Sequence, residues 1–307
     1  MLTTAEIGAA GARRAAALLG IAVCAEISNA SLDEDAAKVD LHLKFRNPLN
    51  SVELIPIRCQ VKSGKSFKGS SSNTHITLQN IGGATVDALS GTGTPGLIVW
   101  VPPRPITRMY WYAQDPRGVK SHTIRVNRQD YVRPSLRYDL VRLAISATWN
   151  KAHVRQTVKA INTDHLLKKA KASYAKLKSK TLIHPLVGHL KVTRLAWRHI
   201  TRRSKTQRLR LEALAITPYI GAYLDKLPDR FHCNRQRLVQ IGARMVETRF
   251  ITCWYRDTLS IKDEVYTLVV RIREDISYPA AWESQPLPVT EIHQEATLAS
   301  WWCKKRK

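Results

Sequence analysis

The stretch VELIPIRCQVKSGK, residues 52–65, carries the pattern that decides the fold of the first half of the chain. It is largely apolar up to Val61, as a buried strand is. The preceding segment VDLHLKF (39–45) alternates apolar and polar residues, which is typical of a half-buried strand. The residues between them, RNPLNS, have the composition of a turn. We therefore predict two adjacent strands, and Pro56 predicts that the second begins irregularly or at a sheet edge.

Polar chemistry lies at the end of this second strand. Residues i and i+2 of a strand share a face, so Gln60 and Lys62 point together, whereas Cys59 and Val61 point into the opposite layer. If the two strands pair, Asp40 approaches the same end. A carboxylate, a carboxamide oxygen and a main-chain carbonyl would then converge beside an ammonium group.

Such a group of residues suits metal-assisted hydrolysis of phosphodiesters. Magnesium prefers oxygen ligands and keeps several waters, so one or two carboxylates and the substrate phosphate can suffice. A nearby lysine can orient the nucleophile or stabilise the charge that develops on the phosphate. The alternative for Gln60 and Lys62 is an ordinary strand end that faces solvent.

Helical and extended segments surround these two strands. The N-terminal segment also has two arginines before an apolar run, as a secretory signal has, but Glu6 and a poor cleavage site favour a helix followed by a strand. The predicted elements are a helix from Thr4 to Leu19 ended by Gly20, a strand at 21–27, a strand at 75–78, a weak helix at 80–91, and strands at 96–102 and 108–114. This order predicts an α/β domain over residues 1–120, with a mixed sheet of four to five strands flanked by helices.

The rest of the chain reads as two further regions. Residues 135–210 have helical periodicity in the segments 135–149, 157–180 and 188–216, and predict a basic helical region. Residues 211–307 predict a small α+β part of unknown role. Its expected elements are a helix at 234–247, a hairpin of 249–256 with 264–272, and a tail, WWCKKRK, that is exposed or docks through its tryptophans.

Net charge points to a polyanionic partner. The chain has 49 Lys+Arg and 24 Asp+Glu among 307 residues, a net charge of +25. Residues 151–210 alone hold 17 basic residues and one acidic residue, so pairing within this segment cannot neutralise them, and contacts to nucleic-acid phosphates explain the excess. The residues expected to bind nucleic acid are Lys65, Lys68, Lys168, Lys169, Lys191, Arg194, Arg198, Arg202, Arg203 and Lys205.

The pattern of VDLHLKF followed by IPIRCQVKSGK, with the helix before it and the strands after it, resembles the PD-(D/E)XK superfamily of restriction-endonuclease-like nucleases. The resemblance covers residues 2–117. It looks closest to the branch in which Gln replaces the first acid of the (D/E)xK half-motif, as in Mrr-type restriction enzymes and several predicted defence nucleases. A departure is Lys38, two residues before Asp40, where a small residue is more usual.

The resemblance implies a role for each matched residue. Asp40, Gln60 and Lys62 would be catalytic, and Mg²⁺ or Mn²⁺ would be bound by Glu6, Asp40, Gln60 and the Val61 carbonyl. The activity implied is that of a metal-dependent endonuclease, in defence against foreign DNA or in a mobile element.

Several alternatives stay open. Double-stranded DNA is the expected partner, but the chain could keep the nuclease fold without activity, or bind structured RNA through residues 151–210. If both strands must be cut, a homodimer would supply two sites. Five widely spaced cysteines without a CxxC pair argue against a disulfide framework and favour a reducing, cytoplasmic setting, and no apolar run is long enough for a membrane span.

Overall fold

The computed structural model describes residues 3–31, 33, 38–90, 94–114, 123–147, 156–158, 165–202, 206–261, 264–284, 288 and 291–305. The chain forms two compact units, Met1–Trp149 with Tyr278–Ile292, and Asn150–Ser277 with His293–Lys307. These boundaries differ from those expected from the sequence. The first unit extends past residue 120, and most of the expected basic helical region shares one unit with the C-terminal part.

The first unit is built around a mixed sheet. Its helices are α1 (Thr4–Val23), α2 (Gly83–Ser90) and α3 (Leu136–Ala147). Its strands are β1 (Glu26–Asn29), β2 (Leu41–Asn47), β3 (Asn50–Ser63), β4 (Lys68–Ser71), β5 (His75–Leu78), β6 (Gly96–Val101), β7 (Tyr110–Gln114) and β8 (Ile124–Asn127). Five strands follow the order β1-β2-β3-β6-β7, with β3 parallel to β6 and the other neighbours antiparallel. The predicted α/β class with a mixed sheet and flanking helices is confirmed.

The two faces of this sheet are covered differently. Helix α1 packs on β3 through a close approach at Gly11, where an added Cβ would lie 1.6 Å from Ser63 Oγ and 2.6 Å from Ser63 Cβ. The opposite face meets α2 and the small sheet β4-β5-β8 in an apolar cluster that includes Ile98 and Trp100. All six residues of β6 are buried, as expected of a central strand covered on both faces.

Strand β3 changes its surroundings halfway along. It pairs with β6 only from Arg58 to Ser63, so its first part, from Asn50 to Ile57, has β2 as its one strand neighbour among the described residues. Pro56 lies in this part, in agreement with the edge position that its missing N–H predicts.

Helix α1 is longer than predicted. It begins at a capping box formed by Thr3 and Glu6 and continues through Gly20 to Val23, where Cys24 adopts a left-handed conformation with φ 54°. Ala22 and Val23 are fully buried. Packing against the sheet therefore carries the helix one turn beyond the glycine, and the predicted strand at 21–27 shrinks to β1.

The contact between Gly11 and Ser63 gives a stability test. Gly11→Ala places a methyl group inside the Ser63 side chain, and we expect a loss of about 1–3 kcal/mol, as for other overpacked positions. Gly8 on the same helix has open space around it, so Gly8→Ala should be neutral or stabilising by up to about 1 kcal/mol. Urea unfolding of both variants measures the difference.

Combining Gly11→Ala with Ser63→Gly removes the clashing atoms and should recover most of the loss. A Gly11→Ala protein as stable as the parent would contradict the close packing of α1 on β3.

The second unit is a seven-stranded sheet with helices. Its helices are α4 (Leu166–Lys178), α5 (Arg194–Thr201), α6 (Gln207–Ile216) and α7 (Gly221–Leu224). Its strands are β9 (Gln156–Val158), β10 (Leu182–His184), β11 (Gly188–Lys191), β12 (Arg230–Ile241), β13 (Arg244–Ile261), β14 (Glu264–Pro279) and β15 (His293–Lys305). The order is β10-β11-β15-β14-β13-β12, and β9 pairs with β13. Strands β13 and β14 are neighbours, as predicted.

Three local predictions in this unit are wrong, and the first concerns residues 157–158, which were predicted as helical and belong to β9. Residues 234–247, predicted as a helix, form a hairpin of β12 and β13 that turns at Gly242 with φ 59°. Residues 188–191, predicted as helical, form β11. Residues 301–305 of the tail form the end of β15, and Trp301 is fully buried and donates from Nε1 to the Ala213 carbonyl at 3.0 Å, so the tail docks through this tryptophan, as predicted.

Ion pairs lie inside this sheet. The side chains of Glu247, Arg249 and Glu274 are fully buried, and Arg249 Nε lies 3.0 Å from Glu274 Oε2 and 4.0 Å from Glu247 Oε1. Arg235 Nε lies 3.3 Å from Glu247 Oε1, and Gln294 Nε2 donates to Glu274 Oε1 at 2.6 Å. The polar groups therefore link β12, β13, β14 and β15. Loss of one partner from such a group typically costs about 3–5 kcal/mol.

No described helix combines the length and the apolar character that a membrane crossing requires. None of the five cysteines, all of which lie in the described part of the chain, takes part in a disulfide bond.

Candidate active site

The pairing of β2 with β3 brings Asp40 to Gln60. Leu41 is the partner of Cys59 in the antiparallel register, so Asp40, one residue before β2, lies beside Gln60. Gln60 Nε2 and the Val61 N–H, the latter at 2.5 Å, both donate to Asp40 Oδ2. The structure therefore brings Asp40, Gln60 and Val61 together at the end of β3.

The amide of Gln60 is only half satisfied. Its side chain is 4 % exposed, and its Oε1 atom is buried without a hydrogen-bond donor among the described residues. A buried polar atom without a partner typically costs about 1–3 kcal/mol. Rotating the amide by 180° would turn Oε1 toward the Asp40 carboxylate, and two oxygens so close together need a cation or a proton between them.

This set of atoms fits a hard divalent cation. A carboxylate, an amide oxygen and the nearby Val61 carbonyl are the oxygen ligands that Mg²⁺ and Mn²⁺ prefer. Among the described residues, no three His, Cys, Asp or Glu side chains cluster in a way that could hold a metal ion. The ligands at this site would therefore come from one acid, one amide and the main chain.

Lys62 lies on the same face as Gln60. The parallel register places Gln60 next to Ile98 and Lys62 next to Trp100, on the side of the sheet that faces α2. Lys62 Nζ lies 5.5 Å from the centre of the Phe67 ring, a distance at which a cation is attracted by the aromatic face. This contact orients the ammonium group of Lys62, which lies two residues after Gln60 in the sequence of β3.

Glu6 lies at the same end of the sheet but its carboxylate has another role. Thr3 N–H and Thr3 Oγ1 donate to Glu6 Oε2 at 2.7 and 2.9 Å, and these bonds, the main-chain one first, lower the pKa of Glu6. Helix α1 approaches β3 on the face of Ser63, opposite Gln60 and Lys62. The contacts described for Glu6 join it to Thr3, and none joins it to Asp40 or Gln60.

The substitution Glu6→Gln distinguishes a role of Glu6 in the helix cap from a role in metal binding. Glu6→Gln preserves the capping box, because a glutamine oxygen can accept the same bonds, so we expect the stability to change by less than about 0.5 kcal/mol. We also expect Mn²⁺ affinity, measured by calorimetry, to change by less than twofold. Thr3→Ala, which removes the cap, should cost about 1 kcal/mol. A tenfold weaker Mn²⁺ affinity in Glu6→Gln would instead assign Glu6 to the metal.

The expected nucleic-acid-binding residues fall into separate groups. Lys65 and Lys68 are exposed just beyond β3, in a 3-10 turn and at the start of β4. Lys168 and Lys169 are exposed on α4, and Lys191 Nζ pairs with Glu295 Oε2 at 2.8 Å. Arg203 and Lys205 lie outside the described residues.

Helix α5 presents a basic outer side. Arg194 and Arg198 are exposed and four residues apart, and Arg202 continues the series at the helix end. Ala196 and Ile200, on the opposite side, are buried. The sequence of α4 contains five lysines and no acid, so its lysines repel one another without relief from the same helix.

The structure adds residues to the face that carries Gln60. Lys44 and Arg46 alternate with buried residues on β2, and Arg58 precedes Gln60 by two positions on β3. The alternation in LHLKFRN places Lys44 and Arg46 on one side of β2. The sequence alone shows this alternation, but the structure is needed to show that this side also carries Gln60.

No protein-family model, curated protein or solved structure matches the chain.

Proposed function

We propose that the chain is a metal-dependent endonuclease that hydrolyses phosphodiester bonds in double-stranded DNA. The observation that carries this proposal is the contact of half-buried Asp40 with buried Gln60, whose amide oxygen lacks a donor among the described residues, with Lys62 two residues further on the same face of β3. The mixed five-stranded sheet flanked by helices supports it, because the PD-(D/E)XK resemblance implies a mixed sheet of this kind.

Each residue has a distinct role in the proposal. Asp40, Gln60 and the Val61 carbonyl would hold Mg²⁺ or Mn²⁺, which when bound would neutralise charge on the phosphate and lower the pKa of water. Lys62 would stabilise the charge that develops on the scissile phosphate. Gln60 is buried by the surrounding sheet, so the electrostatic effect of its amide exceeds that in water.

The basic helices would bind the DNA backbone. Helices α4 and α5 carry Lys168, Lys169, Arg194 and Arg198 on exposed surfaces, and unrelieved repulsion among such cations decreases when phosphates approach. A role in defence or in a mobile element is part of the proposal and rests on the motif resemblance alone.

Plasmid nicking tests the nuclease directly. With Mg²⁺ or Mn²⁺ we expect supercoiled plasmid to be nicked, and we expect Lys62→Ala and Asp40→Asn to slow nicking by about 100-fold or more. DNA binding in EDTA should persist in both variants, because we expect it to depend on other lysine and arginine side chains. Intact plasmid that shifts identically on a gel with parent and variants would contradict the nuclease.

Gln60→Glu serves as the matched variant. It gives the acid of the more common half-motif, so we expect nicking to be retained and Mn²⁺ affinity to rise. A purely structural Gln60 predicts the opposite: the new carboxylate would meet Asp40 in a buried site and destabilise the fold without any gain in metal binding.

A second function is a DNA-binding protein that has lost catalysis. It is favoured by the hydrogen bond between Gln60 and Asp40, which holds the pair together without a cation, and by Lys38, an exposed residue near Asp40 with φ 67°. The nicking experiment separates these functions, because only the nuclease requires a metal ion for a covalent change in DNA.

Salt dependence tests the basic helices. Replacing Lys168, Lys169, Arg194 and Arg198 by Gln should lower the slope of log K against log salt by about 0.9 for each lost phosphate contact in duplex DNA. Lys191→Gln is the control, because Lys191 already pairs with Glu295 and its loss should change the slope less. An unchanged slope in the fourfold variant would contradict a role for these helices in DNA binding. Stronger competition by structured RNA than by duplex DNA would favour the RNA-binding alternative.

A further inference from the structure

One side of the β2–β3 hairpin is a basic surface, which we call the hairpin face. The register pairs His42 with Arg58, Lys44 with Pro56, and Arg46 with Leu54. Cross-strand partners point to the same side of a sheet, and the next even-numbered residue of β3 is Gln60. The hairpin face and the candidate active site therefore form one continuous side of the sheet.

Apolar packing on the opposite side of the hairpin determines that the basic residues point outward. Leu43, Phe45, Ile55 and Ile57 are each no more than 2 % exposed, so the alternating residues have to point outward. Lys44 and Arg46 are exposed accordingly; Lys44 makes no hydrogen bond or ion pair within the described part of the chain, and Arg46 Nη1 donates to the Ser51 carbonyl at 3.3 Å. The cation row is thus a fixed consequence of the apolar packing beneath it.

Charge on this surface is mainly positive. Lys44, Arg46 and Arg58 lie on it, and the acids described on this side are Glu26, the partner of Lys44 on β1, and Asp40 of the candidate active site, just before β2. Beyond the other end of β3, exposed Lys65 and Lys68 follow Lys62. Cations therefore lie on both sides of the candidate active site, along the direction of β3.

We propose that double-stranded DNA lies along the hairpin face, with phosphates that flank the scissile bond in contact with Lys44 and Arg46. This placement rests on the proposed nuclease for the position of the scissile bond. Pro56 and Leu54, the partners of Lys44 and Arg46, lie four and six residues before Gln60, or roughly 13 and 20 Å along a strand. At about 3.4 Å per base pair, these distances correspond to roughly four and six base pairs from the cut.

Binding in EDTA tests the surface independently of cleavage. The probe is a fluorescent 30-base-pair duplex, titrated over a salt series with Asp40→Asn protein so that no metal-dependent cutting can occur. We expect Lys44→Gln and Arg46→Gln each to lower the salt slope by about 0.9. Arg13→Gln is the control, because Arg13 is exposed on α1, on the opposite side of the sheet, and its loss should leave the slope unchanged. Thermal melting of each variant checks that the fold is intact.

Cleavage assays with proteins that keep Asp40 test the position of the contact. Parent protein should lose cleavage efficiency on duplexes with fewer than roughly six base pairs on one side of the cut, and the Lys44→Gln/Arg46→Gln protein should be insensitive to that shortening. Salt slopes equal to those of the parent would overturn the proposed surface, and so would equal sensitivity to shortening. If slopes fall as expected but no metal-dependent cleavage occurs in any protein, the nuclease fails while DNA binding on the hairpin face stands.

Discussion

Strand β2 meets strand β3 in a register that pairs Leu41 with Cys59, and the chemistry of the first unit depends on this alignment. Four apolar side chains of the hairpin are buried beneath it, each contributing about 1.5–3 kcal/mol. A shift of one residue would turn all four toward solvent and separate Asp40 from Gln60. The hydrophobic packing of the hairpin therefore also determines the geometry of the candidate active site.

The glutamine gives this site a property that a second carboxylate would lack. An amide can donate a hydrogen bond to Asp40 in the absence of a cation and can offer an oxygen in its presence. Two adjacent carboxylates would instead repel each other in the empty site. Beneath the pair, burial first and the nearby Asp40 charge second raise the pKa of the Cys59 thiol, so this residue remains protonated and acts as packing.

The sequence was informative where periodicity and packing agree. Alternation in 39–45 and the apolar run before Gln60 were sufficient to predict β2, β3 and the approach of Asp40. They failed at 234–247, because apolar residues there recur at helical spacing although the segment is paired in a hairpin. Buried charges such as Arg249 hide strand periodicity in the second unit, since a pattern of polar and apolar residues cannot show that a charge lies inside. Glu6 was located correctly on α1, but only the structure reveals that Thr3 holds its carboxylate.

The first part of β3, from Asn50 to Ile57, has a second edge without a strand partner among the described residues, and this edge bears on self-association. An unpaired strand edge can template the addition of another extended chain and so begin aggregation. Pro56 interrupts the row of donors along this edge because it has no N–H. A second copy added side by side would also bring the Lys44 and Arg46 of two molecules into one surface, where they repel. The hairpin can therefore stay exposed without inviting self-association.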